Sequence, residues 1–196
     1  MRILLWLMPA CLALTACNMA ISDHPILSNE PRSALKLKDG LWVAEDPKCR
    51  VDTRRPVRRW PRCAYWLVFT DGNVVGARDA KPNDLPVQLV IAEGKPPIVE
   101  LPLKEQGQEE AKLYAYVAIE PTRFDSKGAA VDLRLWGVAC GIEEKTGSIQ
   151  GKIRHFPGMD DDCHPASVEV LRTAAAAGPQ GSDKKARWRW IRATAN

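Results

Sequence analysis

Catalytic signatures are missing from this chain. It contains no GxSxG, HExxH, GxxxxGK(S/T) or GxGxxG, the short patterns that mark common nucleophile, zinc, phosphate and dinucleotide sites. Histidine is scarce, at three residues: His24, His155 and His164. A Ser-His-Asp or two-carboxylate site assembled from distant positions stays open, because such sites are defined by geometry rather than by spacing. No CxxC pair occurs, which argues against a structural zinc site with its close thiolate spacing. No run reaches the roughly 20 apolar residues that a helix needs to cross a bilayer. Charge of one sign is not in large excess either. Without residues 1–16 the chain has 27 Lys+Arg against 24 Asp+Glu, a formal +3, too mild a balance to argue for nucleic acid as partner.

What is present begins at the N-terminus. Arg2 is the only charged residue ahead of Ser22, and Ile3 to Ala16 is apolar except for Pro9 and Thr15. A short basic start, a short apolar middle and small residues at the end form a secretory signal. The ending is more particular. Leu14-Thr15-Ala16-Cys17 resembles the lipobox of bacterial lipoprotein precursors. That resemblance, confined to about the first twenty residues, implies cleavage before Cys17 and fatty acylation of the new N-terminus. Asn18 in place of Asp implies the outer membrane, with the domain facing the periplasm. Two or three acyl chains suffice for stable anchoring without a transmembrane helix, since each buried CH₂ adds about 0.8 kcal/mol.

Cys11 leaves with the signal, and lipidation would consume Cys17. Cys49, Cys63, Cys140 and Cys163 remain, and an even number in an exported chain reads as a disulfide framework. Of three pairings, Cys49–Cys63 with Cys140–Cys163 is preferred, because no long element separates the ends of either loop. Closing loops of about 15 and about 24 residues stabilises by roughly 3 kcal/mol each on the chain-entropy model.

Residues 18 to about 36 carry two prolines and no sustained period, the composition of a tether with a reach of roughly 25 Å. Strand patterns follow. LWVAE (41–45) is short and apolar, and AYWLVFT (64–70) is nearly all apolar. Asp71-Gly72 then leads into NVVGA (73–77), a hairpin signal because both residues tolerate positive φ. PVQLVIA (86–92) puts Val87, Leu89 and Ile91 on one face, and PIVELPL (97–103) reads as an edge strand because Pro102 cannot donate to a ladder. KLYAYVAIE (112–120), AVDLRLWGV (130–138) and SIQGKIR (148–154) alternate with period two, predicting one dry and one wet face. Tyr114, Tyr116, Asp132 and Arg134 fall on the wet faces. Pro165, the acids 160–162 ahead of it and the alanine run to Ala177 predict a helix over about 165–177, stopped by Gly178-Pro179. ARWRWIRA (186–193), with Trp188 and Trp190 on one face, reads as a closing strand.

Two stretches are candidates for binding. CRVDTRRPVRRWPRC, Cys49 to Cys63, holds Arg50, Arg54, Arg55, Arg58, Arg59 and Arg62 against one acid, Asp52, with Trp60 among them. Arginine forks suit phosphate and carboxylate, and Trp adds stacking or interfacial contact. The alternative is a solvated loop whose arginines pair with acids elsewhere. The second stretch, HFPGMDDDCHP, groups His155, Asp160, Asp161, Asp162, Cys163 and His164, residue types able to hold a metal. Its acids lack the alternating EF-hand layout, and acids before a helix, a disulfide cysteine and a histidine before proline account for it without one.

These readings predict a mainly β protein: an antiparallel sandwich or barrel-like domain with one helix. Residues 1–16 are the signal, 17–36 the lipidated N-terminus and tether, and 37–194 a single β-rich domain. The expected function is a non-catalytic, membrane-anchored envelope binding or assembly module without cofactor. Its partners would be the membrane through the anchor and an anionic envelope component or protein, not nucleic acid. Arg54, Arg55, Arg58, Arg59, Trp60 and Arg62 form the contact candidate. Two alternatives are an envelope hydrolase acting on glycan or lipid, and a carrier with an apolar cavity between sheets.

Overall fold

Turn chemistry and period-two strands set the architecture. A computed structural model describes residues 18–78, 86–103, 113–144, 152–179 and 186–193. The strands are β1 (Ile21–Ser22), β2 (Gly40–Glu45), β3 (Trp66–Thr70), β4 (Asn73–Ala77), β5 (Val87–Gln88), β6 (Val90–Ala92), β7 (Ile98–Leu103), β8 (Leu113–Phe124), β9 (Ala130–Gly137), β10 (Gly141–Glu144), β11 (Lys152–His155) and β12 (Ala186–Arg192), with one helix, α1 (Val168–Ala176). At the β3–β4 turn Asp71 and Gly72 have φ of 48° and 80°. Two successive positive φ values match the right-handed twist of the flanking strands.

All strand pairings in the main sheet are antiparallel, in the order β5-β4-β3-β2-β12-β9-β8-β7-β6. The two ends of that path, β5 and β6, are separated in the chain by Leu89 alone. They are halves of one kinked strand, whose first half pairs with β4 and second half with β7. The sheet thereby curls into a nearly closed barrel of eight strands. Six of its pairings join strands consecutive in the chain, and β12 returns to close the barrel between β9 and β2. The excursion between β9 and β12 holds a separate β10–β11 ribbon and α1.

Several expectations change. The run 86–92 is a kinked strand serving two neighbours rather than one straight strand. β7 is not an edge, because β6 and β8 flank it. Pro102 is tolerated because β6 pairs only with Ile98–Glu100, leaving Pro102 with β8 alone. The helix starts at Val168 after Ser167, not at Pro165, which bridges back to Met159. β11 pairs only with β10, and residues 148–151 of the predicted strand 148–154 lie outside the described residues.

β8 and β9 are dry on both faces over part of their length, while Arg134 is exposed as expected. Tyr116 is fully buried and Asp132 is 3% exposed. For Tyr116 the reason is a second layer outside the barrel. Leu171, Ala174 and Ala175 of α1, with Phe156, Met159, Ala20 and Leu27, pack on Tyr116, Ala118, Trp136 and Val138. Asp132 is covered instead by arginines of the neighbouring strands, its Oδ2 lying 3.1 Å from Arg123 Nε and 3.5 Å from Arg187.

Residues 18–38 are the largest correction. They form a strap on the barrel, not a free tether. Ala20 N donates to Val138 O at 2.8 Å, Cys140 N to Asn18 O at 3.1 Å, and Gly141 N to the Asn18 side chain at 2.9 Å. Ile21 and Ser22 pair with Ala115 and Tyr114 of β8. The buried Glu100 carboxylate accepts from Ile26 N at 2.7 Å and Leu27 N at 2.9 Å. Further on, Ser33 N donates to Ile91 O, and Leu37 bridges Ala130. Burying Leu27 alone is worth about 1.5–3 kcal/mol.

Ser22 Oγ donates its only proton to His24 O at 2.6 Å, so in its 2.6 Å contact with Tyr116 the phenol must be the donor. Burial pushes the Tyr116 hydroxyl up to about 12, partly offset by the bond to Ser22. A raised folded pKa means stability that is intact below the ordinary value of 10.0 and lost as pH rises towards about 12. Denaturant midpoints measured across that window are expected to fall, and Tyr116→Phe to remove this part of the fall. Glu100→Ala leaves two buried N–H donors unsatisfied. It is expected to cost roughly 2–5 kcal/mol in urea unfolding and to speed amide exchange at Ile26 and Leu27.

Candidate functional site: an apolar cavity and a stapled arginine flap

The barrel interior is built by residues spaced two apart. Leu67 and Phe69 on β3, Val99 and Leu101 on β7, Val117 and Ile119 on β8, and Leu133 and Leu135 on β9 point inward together. Trp42 and Trp188 complete the wall across the β2–β12 seam. These side chains do not fill the interior. They line a cavity of about 230 Å³. Val117 and Leu135 lie mid-strand with neighbours on both sides, yet stay only half-buried because no described side chain fills the space they face.

One end of the barrel is closed by the strap. Leu35 and Leu37 pack into the interior cluster. The indole nitrogens of Trp42 and Trp190 donate to Lys38 O at 2.8 Å and Asp39 O at 2.9 Å. Gly40 is required there, because a Cβ would stand 2.2 Å from Arg192 O and its φ is 128°. At the other end β2, β4 and β7 finish. Connections 79–85 and 104–112 at that end lie outside the described residues.

Among the described residues the cavity lining is wholly apolar and contains no titratable side chain. Nothing in it can give or take a proton, so its chemistry is burial. An apolar cavity of about 150 Å³ accepts benzene or xenon and stays dry, while drug-sized ligands occupy about 300–1,000 Å³. A space of about 230 Å³ fits one ring or a short length of alkyl chain.

The arginine stretch lies elsewhere, as a flap over the outer face of β2 and β12. Cys49 is bonded to Cys63, and Cys140 to Cys163. Within the flap, Arg55 N donates to Asp52 O and Trp60 N to Val57 O, around a 3-10 turn at Val57–Arg59. Arg192 of β12 holds it down through Thr53 O at 2.6 Å and Arg55 O at 3.3 Å. Trp60 is half-buried, its Nε1 donating to Arg55 O at 3.0 Å. Arg55 pairs with Asp52 at 3.1 Å. Arg50, Arg54, Arg58, Arg59 and Arg62 are exposed and have no acidic partner among the described residues. The groove beneath the flap is different: there Glu45 pairs with both Arg187 and Arg189, and with Asp46 the lining holds two acids and two bases.

The third cluster does not form as an acid site. Cys140, His155 and Cys163 bring ligand-type atoms within 4.8 Å of one another, but both sulfurs are bonded to each other. Asp160 turns its own loop, its Oδ1 accepting from Asp162 N at 3.0 Å and His164 N at 2.7 Å. The helix begins well beyond these acids, so they do not serve its dipole. Cys17 lies outside the described residues. Comparison with known proteins finds no matching family model, no similar curated protein and no similar solved structure.

The staple predicts protease resistance. Trypsin is expected to leave the flap's arginines uncut in the native protein, and a Cys49→Ala/Cys63→Ala double variant to be cleaved within 50–62 at least about tenfold faster. Fragment mapping by mass spectrometry checks this.

Proposed function

We propose that this chain is an exported, lipid-anchored, non-catalytic protein whose barrel holds a small apolar ligand, a single ring or a short alkyl segment. The observation that carries the reading is the dry interior space of about 230 Å³, walled by Trp42, Val117, Leu135 and their neighbours. Eight-stranded barrels are just wide enough to be filled by side chains or to hold one small ligand. This one has a closed lower end and an unfilled middle, the arrangement of a container. The described lining offers no acid, base or nucleophile to support the hydrolase reading.

The location is part of the proposal. The Leu14-Thr15-Ala16-Cys17 pattern supports acylation at Cys17, and two disulfides suit an oxidising compartment. The protein would sit on the outer membrane and face the periplasm. A strap packed from Asn18 onward leaves no slack between such an anchor and the barrel.

A homologous series of straight-chain fatty acids tests the cavity. Affinity by calorimetry is expected to rise about fourfold per added methylene, the equivalent of about 0.8 kcal/mol, until the chain outgrows the space, and then to level. Val117→Phe, and independently Leu101→Phe, place a ring in the cavity and should abolish binding while the protein stays folded. Binding that ignores chain length and survives both substitutions would place the ligand elsewhere.

A further inference from the structure

We infer that the stapled flap, residues 49–63, is a docking surface for a phosphate-bearing anionic lipid surface. Charge is the first argument. Of the 27 basic and 24 acidic residues after residue 16, six and one lie in this flap, a local +5, leaving 21 against 23, or −2, for everything else. The entire basic excess of the domain is thus concentrated in fifteen residues, on a molecule otherwise slightly acidic.

Presentation is the second. Arg50, Arg54, Arg58, Arg59 and Arg62 are exposed and lack acidic partners among the described residues, so the fold does not consume them. The backbone beneath them is fixed by the Cys49–Cys63 bond, by Arg192 and by the Trp60 indole. A stiff scaffold spares most of the ordering cost of binding. Each guanidinium offers a planar fork that matches two phosphate oxygens.

The shape of the patch selects the partner. Protein interfaces centre on an apolar core depleted of charge. Here no residue of the 3-10 turn is buried and charge dominates the exposed surface, with the half-buried Trp60 as the one aromatic ring. Several exposed guanidiniums around a half-buried ring suit a plane of headgroups, where phosphates can be met without shape complementarity. This inference rests neither on acylation of Cys17 nor on the cavity.

The test uses residues 18–196, which contain the whole described fold and carry no acyl chain. Vesicles of phosphatidylcholine with about one-third phosphatidylglycerol should sediment the protein at about 50 mM salt and release it at about 500 mM, while pure phosphatidylcholine should not retain it. Arg54→Gln/Arg58→Gln/Arg59→Gln/Arg62→Gln should lose at least about tenfold in vesicle affinity. The same four positions changed to Lys keep the charge and should keep binding. Inorganic phosphate alone should show no saturable site. Failure of the unsubstituted protein to bind anionic vesicles, equal binding by the glutamine variant, or a saturable phosphate site without vesicle binding would each overturn the inference. The fatty-acid titration on the same protein reports the cavity separately.

Discussion

The fold depends on one strand satisfying two neighbours. Val87–Gln88 completes the ladder of β4, and Val90–Ala92 completes that of β7. Without the kink at Leu89 the sheet would end in two open edges, each a row of unpaired donors and acceptors available to another chain. With it, the edges meet and the inward face of every strand becomes the wall of one space. Leu89 itself lines that space, so closure and cavity share a residue. An unfilled apolar space of about 230 Å³ costs on the order of 5 kcal/mol against a filled core at about 24 cal/mol per Å³. That is comparable to the whole stability of a small domain, and a ligand that fills the space recovers it.

The strap makes the closed barrel into a vessel with a floor. Its early residues pack on the outer face of β8 under α1, and its last residues, Leu35 and Leu37, turn into the interior. Glu100 is the pivot. It is a buried acid whose Oε2 accepts from two backbone N–H groups of the strap. The Cys140–Cys163 bond lies where the strap enters, and Cys163 O accepts from Ile21 N at 3.1 Å. The outer layer, the strap and the second disulfide therefore stand or fall together.

Much of this was legible in the sequence, and the limits are instructive. NVVGA, the Asp71-Gly72 turn and the seam strand with Trp188 and Trp190 on one face could be read because turn residues and period two are local. The mainly β, barrel-like class with one helix followed from them. Closure was not legible, because nothing local to 86–92 says that one strand will face two partners. Tyr116 was placed in water because alternation reports the nearest layer only. A second layer, contributed by residues 18–27 and α1, lies far away in the chain. The strap itself lacked any period, since its backbone pairs in short pieces with several different partners. The arginine flap was conspicuous in composition, yet its separation from the cavity, on the outer face of β2 and β12, came only with the fold.

The central claim is that the interior is an empty, dry, ligand-sized space. A crystal of residues 18–196 pressurised with xenon tests it most directly, because xenon enters apolar cavities of this size and has no use for polar ones. The account predicts a xenon atom within the barrel, in contact with Trp42, Val117 and Leu135. An interior closed up by those side chains, or occupied by hydrogen-bonded water, would contradict it.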